Sequence, residues 1–259
     1  MEYFDTHAHY DDNKFDIDRE DIINKIYDAG VTKCVNVGCD VNTSKNSVEL
    51  ARKYDFFYAI VGIHPSEVSG SNVEIDKDIL EIKKLVQENT KIVAIGEIGL
   101  DYHYEDGPRK ELQQYAFIKQ IELANELNLP ISIHTRDAID DTIAILRRNK
   151  IQCGGILHCC PFNRELVKHG IEQGLHIAFG GTVTFKNSKN AKEIVEIVPT
   201  EKMLIETDAP YLAPEPFRGQ RNDSSYLKYV VEKLAEFKDM APEKIAQITY
   251  NNACNIFKI

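Results

Sequence analysis

The feature that most constrains this chain is an alternation. Short β-rich runs and amphipathic helical stretches succeed one another from one end to the other, with no linker between them. The β-rich runs cover 3–9, 34–38, 56–62, 92–98, 131–135, 155–159, 176–179 and 203–207. Between them apolar residues recur at three- and four-residue spacing, the period of a helix with one buried face. Ile22, Ile23 and Ile26 do so within 18–29, and Leu112, Tyr115, Phe117, Ile118 and Ile121 within 109–128. Turn and cap residues fall where this scheme needs them. Gly30, Asn128-Leu129-Pro130, Gly174 and Pro199 end helices, and Thr43 and Asn163 stand near helix starts. A last helix is predicted over 242–257.

Eight strands, each followed by a helix and each apolar enough to be buried on both faces, predict a parallel (β/α)8 barrel of TIM type, with residues 1–259 as one domain. An open doubly wound sheet shares the alternation. It would normally carry a glycine-rich phosphate fingerprint after its first strand, and neither Gly-x-Gly-x-x-Gly there nor Gly-x-x-x-x-Gly-Lys anywhere occurs. With 43% hydrophobic residues the chain has material for such a core. No stretch approaches the roughly 18 apolar residues of a membrane span, and the start, Met1-Glu2-Tyr3-Phe4-Asp5, has no basic-then-apolar leader. A cytoplasmic protein with no membrane partner is expected, and a monomer. The six cysteines include no Cys-x-x-Cys pair and read as packing residues. Lys plus Arg minus Asp plus Glu is 31 − 41 = −10. That balance argues against broad, salt-driven wrapping of nucleic acid but leaves room for a small phosphate-binding cleft.

The ionisable residues fall at the ends of the predicted strands. His7 and His9 close the first; side chains alternate along a strand, so both imidazoles face the same side. His64 follows the third, Glu97 ends the fourth, His134 the fifth and His158 the sixth, and Asp208 closes the eighth. In a parallel barrel all these ends open on one rim. A lone histidine is usually structural, and His169 and His176, one inside a helix and the other beginning a strand, are read so. Five of eight histidines at strand ends, joined by two carboxylates, exceed what packing asks for. Imidazole and carboxylate without thiolate suit Zn²⁺, Mn²⁺ or Fe²⁺, and Mg²⁺ more weakly. Six ligands exceed one catalytic zinc and point to two divalent ions, with Glu97 as the bridge. Asp208 is placed to accept a proton from the attacking water, so metal-assisted hydrolysis is the predicted reaction class. Arg136, Arg218 and Arg221 lie just past strand ends and can hold phosphate, Arg221 equally well being a surface ion pair. His64 and His103 are candidates for contacting substrate, and Asp101 for orienting a ligand histidine.

The ordered series Asp5-Thr6-His7-Ala8-His9, Gly62-Ile63-His64-Pro65, Gly96-Glu97-Ile98-Gly99-Leu100-Asp101-Tyr102, Ile133-His134-Thr135-Arg136, His158-Cys159, Glu206-Thr207-Asp208-Ala209-Pro210-Tyr211-Leu212 and Arg218-Gly219 resembles the TatD family of metal-dependent hydrolases in the amidohydrolase superfamily. The resemblance spans essentially the whole chain. It implies a two-metal site of His7, His9, Glu97, His134, His158 and Asp208, with Asp208 as catalytic base. It further implies a deoxyribonuclease acting on DNA 3′ ends or, as some members are credited with, release of D-amino acids from mischarged tRNA. Two stretches depart from the family pattern. His158-Cys159-Cys160-Pro161-Phe162 stands where a small residue and glycine usually follow His-Cys-Phe, and Asp223-Ser224-Ser225 stands where an acid and then proline are common.

Three alternatives bound the reading. An amide, phosphotriester or aminoacyl ester can be cut by the same ions, although superfamily members that cleave amides often bridge with a modified lysine on strand four, where this chain has Glu97. The phosphatase-and-polymerase family with His-x-His motifs would close with Asp-x-His, whereas Asp208 is followed by Ala209-Pro210. A metal-stabilised scaffold would have a closed, often thiolate-rich site.

Overall fold

A computed structural model describes residues 1–259. Eight parallel strands follow one another around a barrel in chain order. They are β1 (Tyr3–Ala8), β2 (Val31–Val37), β3 (Phe57–Val61), β4 (Ile92–Asp101), β5 (Ile131–Arg136), β6 (Gly155–Leu157), β7 (Leu175–Phe179) and β8 (Met203–Ile205). The helices around them are α1 (Arg19–Asp28), α2 (Val41–Lys53), α3 (Asn72–Glu88), α4 (Lys110–Leu127), α5 (Ile139–Arg148), α6 (Arg164–Glu172), α7 (Ala191–Ile197) and α8 (Leu227–Lys238), and α9 (Pro242–Phe257) ends the chain. The first strand reaches the last through a parallel bridge between Ala8 and Ala209. Hydrogen bonds from the His9 amide to the Ala209 carbonyl (2.7 Å) and from the Asp208 amide to the His7 carbonyl (2.9 Å) complete the closure. The expected (β/α)8 barrel is the observed fold.

Two apolar layers result from the two faces of each strand. The larger lies between sheet and helices, where Val31, Phe57, Ile95 and Ile133 meet Ile23, Phe117 and Leu234. The smaller fills the barrel with Phe4, Val35, Ile60, Ala94, Ile156, Ala178 and Leu204, and Ala253, Ile256 and Phe257 of α9 plug its lower end. Gly96 belongs to this inner layer: a Cβ there would lie 2.7 Å from the Ser132 Cβ and 2.9 Å from the Ile60 Cγ2.

The pairing register shifts at four places, and two of them matter for the upper rim. Between Asp5 and Ala8 the pairing of β1 with β2 shifts by one residue, so three steps on β1 match two on its neighbour. The same happens between Ile95 and Ile98 of β4 against β5. Each is a β-bulge, which re-aims the residue it carries. In β4, Ile95 and Ile98 both face the helices, and Glu97 is thereby freed to face the barrel axis. The sequence reading ends strand four near Glu97; the strand in fact continues to Asp101, because Gly99, Leu100 and Asp101 pair with His134, Thr135 and Arg136. Conversely β6 and β8 stop at Leu157 and Ile205, so His158 and Asp208 sit on the rim just beyond them.

Gly99 holds the β4–β5 pairing in place. Its φ of +139° belongs to a region L side chains rarely adopt, and a Cβ would stand 2.0 Å from the His134 carbonyl oxygen. We expect Gly99→Ala to destabilise the fold by about 3 kcal/mol or more. Urea unfolding measures this, and an unchanged midpoint would show that the strand relaxes around the methyl group.

His176, on β7 at the opposite end of the barrel, supplies a pH test. Its Nδ1 is buried without a partner; burial, with Lys202 nearby, lowers its pKa to about 4. The unfolded chain takes up that proton near pH 6.5. The neutral ring's contribution is therefore complete above about pH 6.5 and is lost as the pH falls toward 4. His176→Phe should flatten the decline in urea midpoint between pH 7 and pH 5; parallel declines in both proteins would exclude His176 as its source.

Candidate metal centre

The upper rim gathers the predicted donors around one carboxylate. Glu97 Oε2 lies 3.3 Å from His7 Nε2 and 3.8 Å from His9 Nε2, while Oε1 lies 2.8 Å from His134 Nδ1, 3.5 Å from His158 Nε2 and 3.6 Å from His64 Nε2. Asp208 Oδ1 faces His9 Nε2 at 3.4 Å, with His158 and His7 at 3.8 and 3.9 Å. Asp208 has φ +60°, a left-handed conformation aspartate tolerates better than most residues.

Electrostatics leave the two acids ionised. Burial alone would raise the Glu97 pKa, but the imidazoles of His64, His158, His7 and His134 overcome it and hold the carboxyl well below its ordinary range. Burial is likewise overcome at Asp208 by His9, His158 and His7, and its pKa is lowered. His64 is pushed down to about 3 by burial. At His158 burial works downward, yet Glu206 and Glu97 carry it up to about 9.

This donor set fits divalent cations. His7 Nε2 and His9 Nε2 face each other at 3.2 Å, a contact in which only one nitrogen can donate a proton, and both point at anionic oxygen. Donor atoms of His7, His9 and Asp208, of His7, Glu97 and His158, and of His64, Glu97 and His134 each lie within 4.8 Å of one another. Nitrogen and carboxylate lone pairs this dense and this buried are what a hard-to-borderline ion satisfies.

A second tier of groups fixes the rings. Glu206, fully buried, accepts from the Cys159 amide (2.7 Å) and contacts His158 Nδ1 at 3.0 Å. The Val37 carbonyl lies 2.9 Å from His9 Nδ1, and Asp101 Oδ2 lies 3.2 Å from His134 Nε2, as anticipated for an orienting residue. Sequence reasoning assigned Glu206 no role; its one signal was an acid two residues before Asp208 in Glu206-Thr207-Asp208. The reading of all six cysteines as packing residues also needs correction. Cys34 and Cys160 are buried, but Cys39 stands with donors of His9 and Glu97, and Cys159 with those of His158 and Glu206, because loops past β2 and β6 turn them onto the rim.

Above the donors opens a cavity of about 670 Å³. His64 and Arg136 line it. Arg218 is not among the lining residues; its guanidinium lies 4.4 Å from the Phe185 ring centre and 3.1 Å from Asn187 Oδ1. His103 points away, to Asp137 at 2.7 Å, and lies off the cavity lining. Arg221 is the surface ion pair, forked onto Asp18 at 2.8 and 2.6 Å. His169 and His176 are far from the rim on α6 and β7. The two departures from the family pattern have clear forms: Cys159 and Phe162 take left-handed φ in the loop past β6, and Ser224 donates to Asp5 (2.6 Å) just before α8.

The chain is similar to known proteins over nearly its whole length. A family model described as TatD related DNase matches residues 4–258. The chain is 44% identical over 257 residues to the uncharacterized metal-dependent hydrolase YabD of Bacillus subtilis (strain 168), covering 99% of each. It is 31% identical over 263 residues to the 3'-5' ssDNA/RNA exonuclease TatD of Escherichia fergusonii, again covering 99% of each. Among solved structures, YJJV, a TatD homolog from Escherichia coli K12, matches with a TM-score of 0.92 at 28% identity, covering 99% of this chain and 98% of that one.

Because Glu206 orients His158, Glu206→Gln should weaken metal retention about 10- to 100-fold, the usual cost of removing such a support. Metal titration followed by calorimetry reads the change, with circular dichroism as the control for folding. Wild-type affinity in a folded variant would remove Glu206 from this role.

Proposed function

The chain belongs to the TatD-related DNase family of metal-dependent hydrolases, and on that premise we propose that it is a two-metal phosphodiesterase cutting DNA at 3′ ends. The observation that carries the reading is the division of Glu97, whose Oε2 faces His7 and His9 while Oε1 faces His134 and His158. One ion would be held by His7, His9 and Asp208, the other by His134 and His158, with Glu97 shared; Zn²⁺, Mg²⁺ or Mn²⁺ suits the set. Bound there, the ions supply acidity to a water molecule and offset charge on a phosphodiester.

The remaining steps fall to the chain's own side chains. Asp208 is ionised and partly open to the cavity. It accepts the proton of the attacking water, since a carboxylate that gives one oxygen to a cation keeps the other for a proton. Arg136 lines the same cavity and pairs with a phosphate oxygen. Arg218 acts through Phe185 and Asn187, which it contacts, and His64 contacts the substrate beside Glu97. The 3′-end preference is supported by the exonuclease name of the 31% identical relative. No helix is long and apolar enough to cross a membrane, and we place the enzyme in the cytoplasm as a monomer.

Stripping the metal with a chelator should abolish hydrolysis of 3′-labelled single-stranded DNA, and adding back Mg²⁺, Mn²⁺ or Zn²⁺ should restore it. Asp208→Asn, refilled in the same way and still folded, should lose about 10²- to 10⁴-fold in kcat. Turnover retained by the variant would disqualify Asp208 as base. Intact DNA alongside amino acid released from a D-aminoacyl-tRNA would move the substrate to an ester on tRNA.

A further inference from the structure

We propose that the loops past β6, β7 and β8 form a stacking wall that receives the nucleobase of an unpaired terminal nucleotide, with Phe185 as the principal contact. The proposal deepens the phosphodiesterase reading and rests on it. The loop past β7, from Gly180 to Ser188, offers neither imidazole nor carboxylate to the rim. It gives the cavity Thr182, Phe185, Asn187 and Ser188 instead. Phe162 past β6 and Tyr211 and Leu212 past β8 line the same cavity. Strands β6, β7 and β8 are consecutive neighbours in the barrel, so these residues form one arc beside the donors. Tyr211 and Leu212 are 43% and 37% exposed, apolar surface left open at the mouth of a polar site.

This arc is rigid. The Glu215 amide donates to Thr184 Oγ1 at 2.8 Å, and Gly181 lets the two loops meet where a Cβ would lie 2.0 Å from the Leu212 carbonyl oxygen. Tyr211 is pinned by its hydroxyl to Asp12 Oδ2 at 2.6 Å, with the Lys14 ammonium 4.1 Å from its ring centre. Arg218 lies against the Phe185 ring, which also borders the cavity. An aromatic surface with cations against its rings, next to a phosphate site, suits a flat heterocycle on a phosphodiester; every base has such a face, so stacking is tolerant of sequence. A base still in a duplex has that face covered by its neighbours, whereas an unpaired end can splay onto the wall.

The test compares wild type, Phe185→Ala, Phe185→Leu and Phe185→Trp, all metal-loaded, on single-stranded DNA ending in an ordinary or an abasic 3′ nucleotide. Phe185→Leu keeps bulk without a π face and serves if the alanine variant fails to fold. Both should raise KM about tenfold on ordinary ends, within the range a lost base–aromatic stack produces. They should leave kcat within about twofold and the abasic substrate unaffected, and Phe185→Trp should match wild type. Equal effects on both ends would overturn the wall and leave the phosphodiesterase standing. Failure of wild type to cut either DNA while it cleaves an aminoacyl ester would overturn both.

Discussion

The barrel closes where its first strand meets its last, and the buried carboxyl of Asp5 holds that junction. Asp5 accepts from the amides of His7 (3.2 Å) and Thr207 (3.0 Å) and from the hydroxyls of Thr207 and Ser224 (both 2.6 Å). Burial pulls its pKa up to about 7 against those hydrogen bonds. Ser224 in turn contacts the Tyr10 hydroxyl at 2.7 Å. A buried polar group of this kind is costly unless all its partners are present, so the pieces from residues 5, 207 and 224 are fixed together. The same short stretch carries His7, His9 and Asp208. The spacing of those three donors is thus a by-product of barrel closure.

Much of this was legible in the sequence because periodicity and residue type report directly on burial and chemistry. Apolar strands alternating with helical periods led to the barrel, and acids and imidazoles at strand ends led to the rim. The illegible parts share a physical cause: they depend on partners distant in sequence. Nothing local to Glu97 reveals that β4 runs on to Asp101, since the extension exists only through pairing with His134, Thr135 and Arg136. The bulges that aim His7 and Glu97 inward are likewise properties of strand pairs. Glu206 reads as one acid among many until His158 is seen 3.0 Å away. Arg221 could be assigned only once Asp18, some two hundred residues earlier in the chain, appeared beside it.

The acidic balance of the chain and its proposed polyanionic substrate are compatible on these terms. A net charge of −10 gives no long-range attraction for nucleic acid. Attraction has to be local, and the local supply is small: Arg221 is spent on Asp18, which leaves Arg136 at the cavity, Arg218 against Phe185, and whatever divalent ions the rim would hold. A short contact with one end of a strand suits that supply better than a long footprint.

The junction at Asp5 also fixes when in the protein's life the centre comes into being. Its donors begin at His7, end at Asp208, and depend on a clasp completed by Ser224. A chain still being synthesised has the two histidines of β1 in hand long before the backbone that holds them opposite Asp208. The donor set is therefore incomplete, and hydrolysis at this rim withheld, until the chain has been extended past residue 224 and folded.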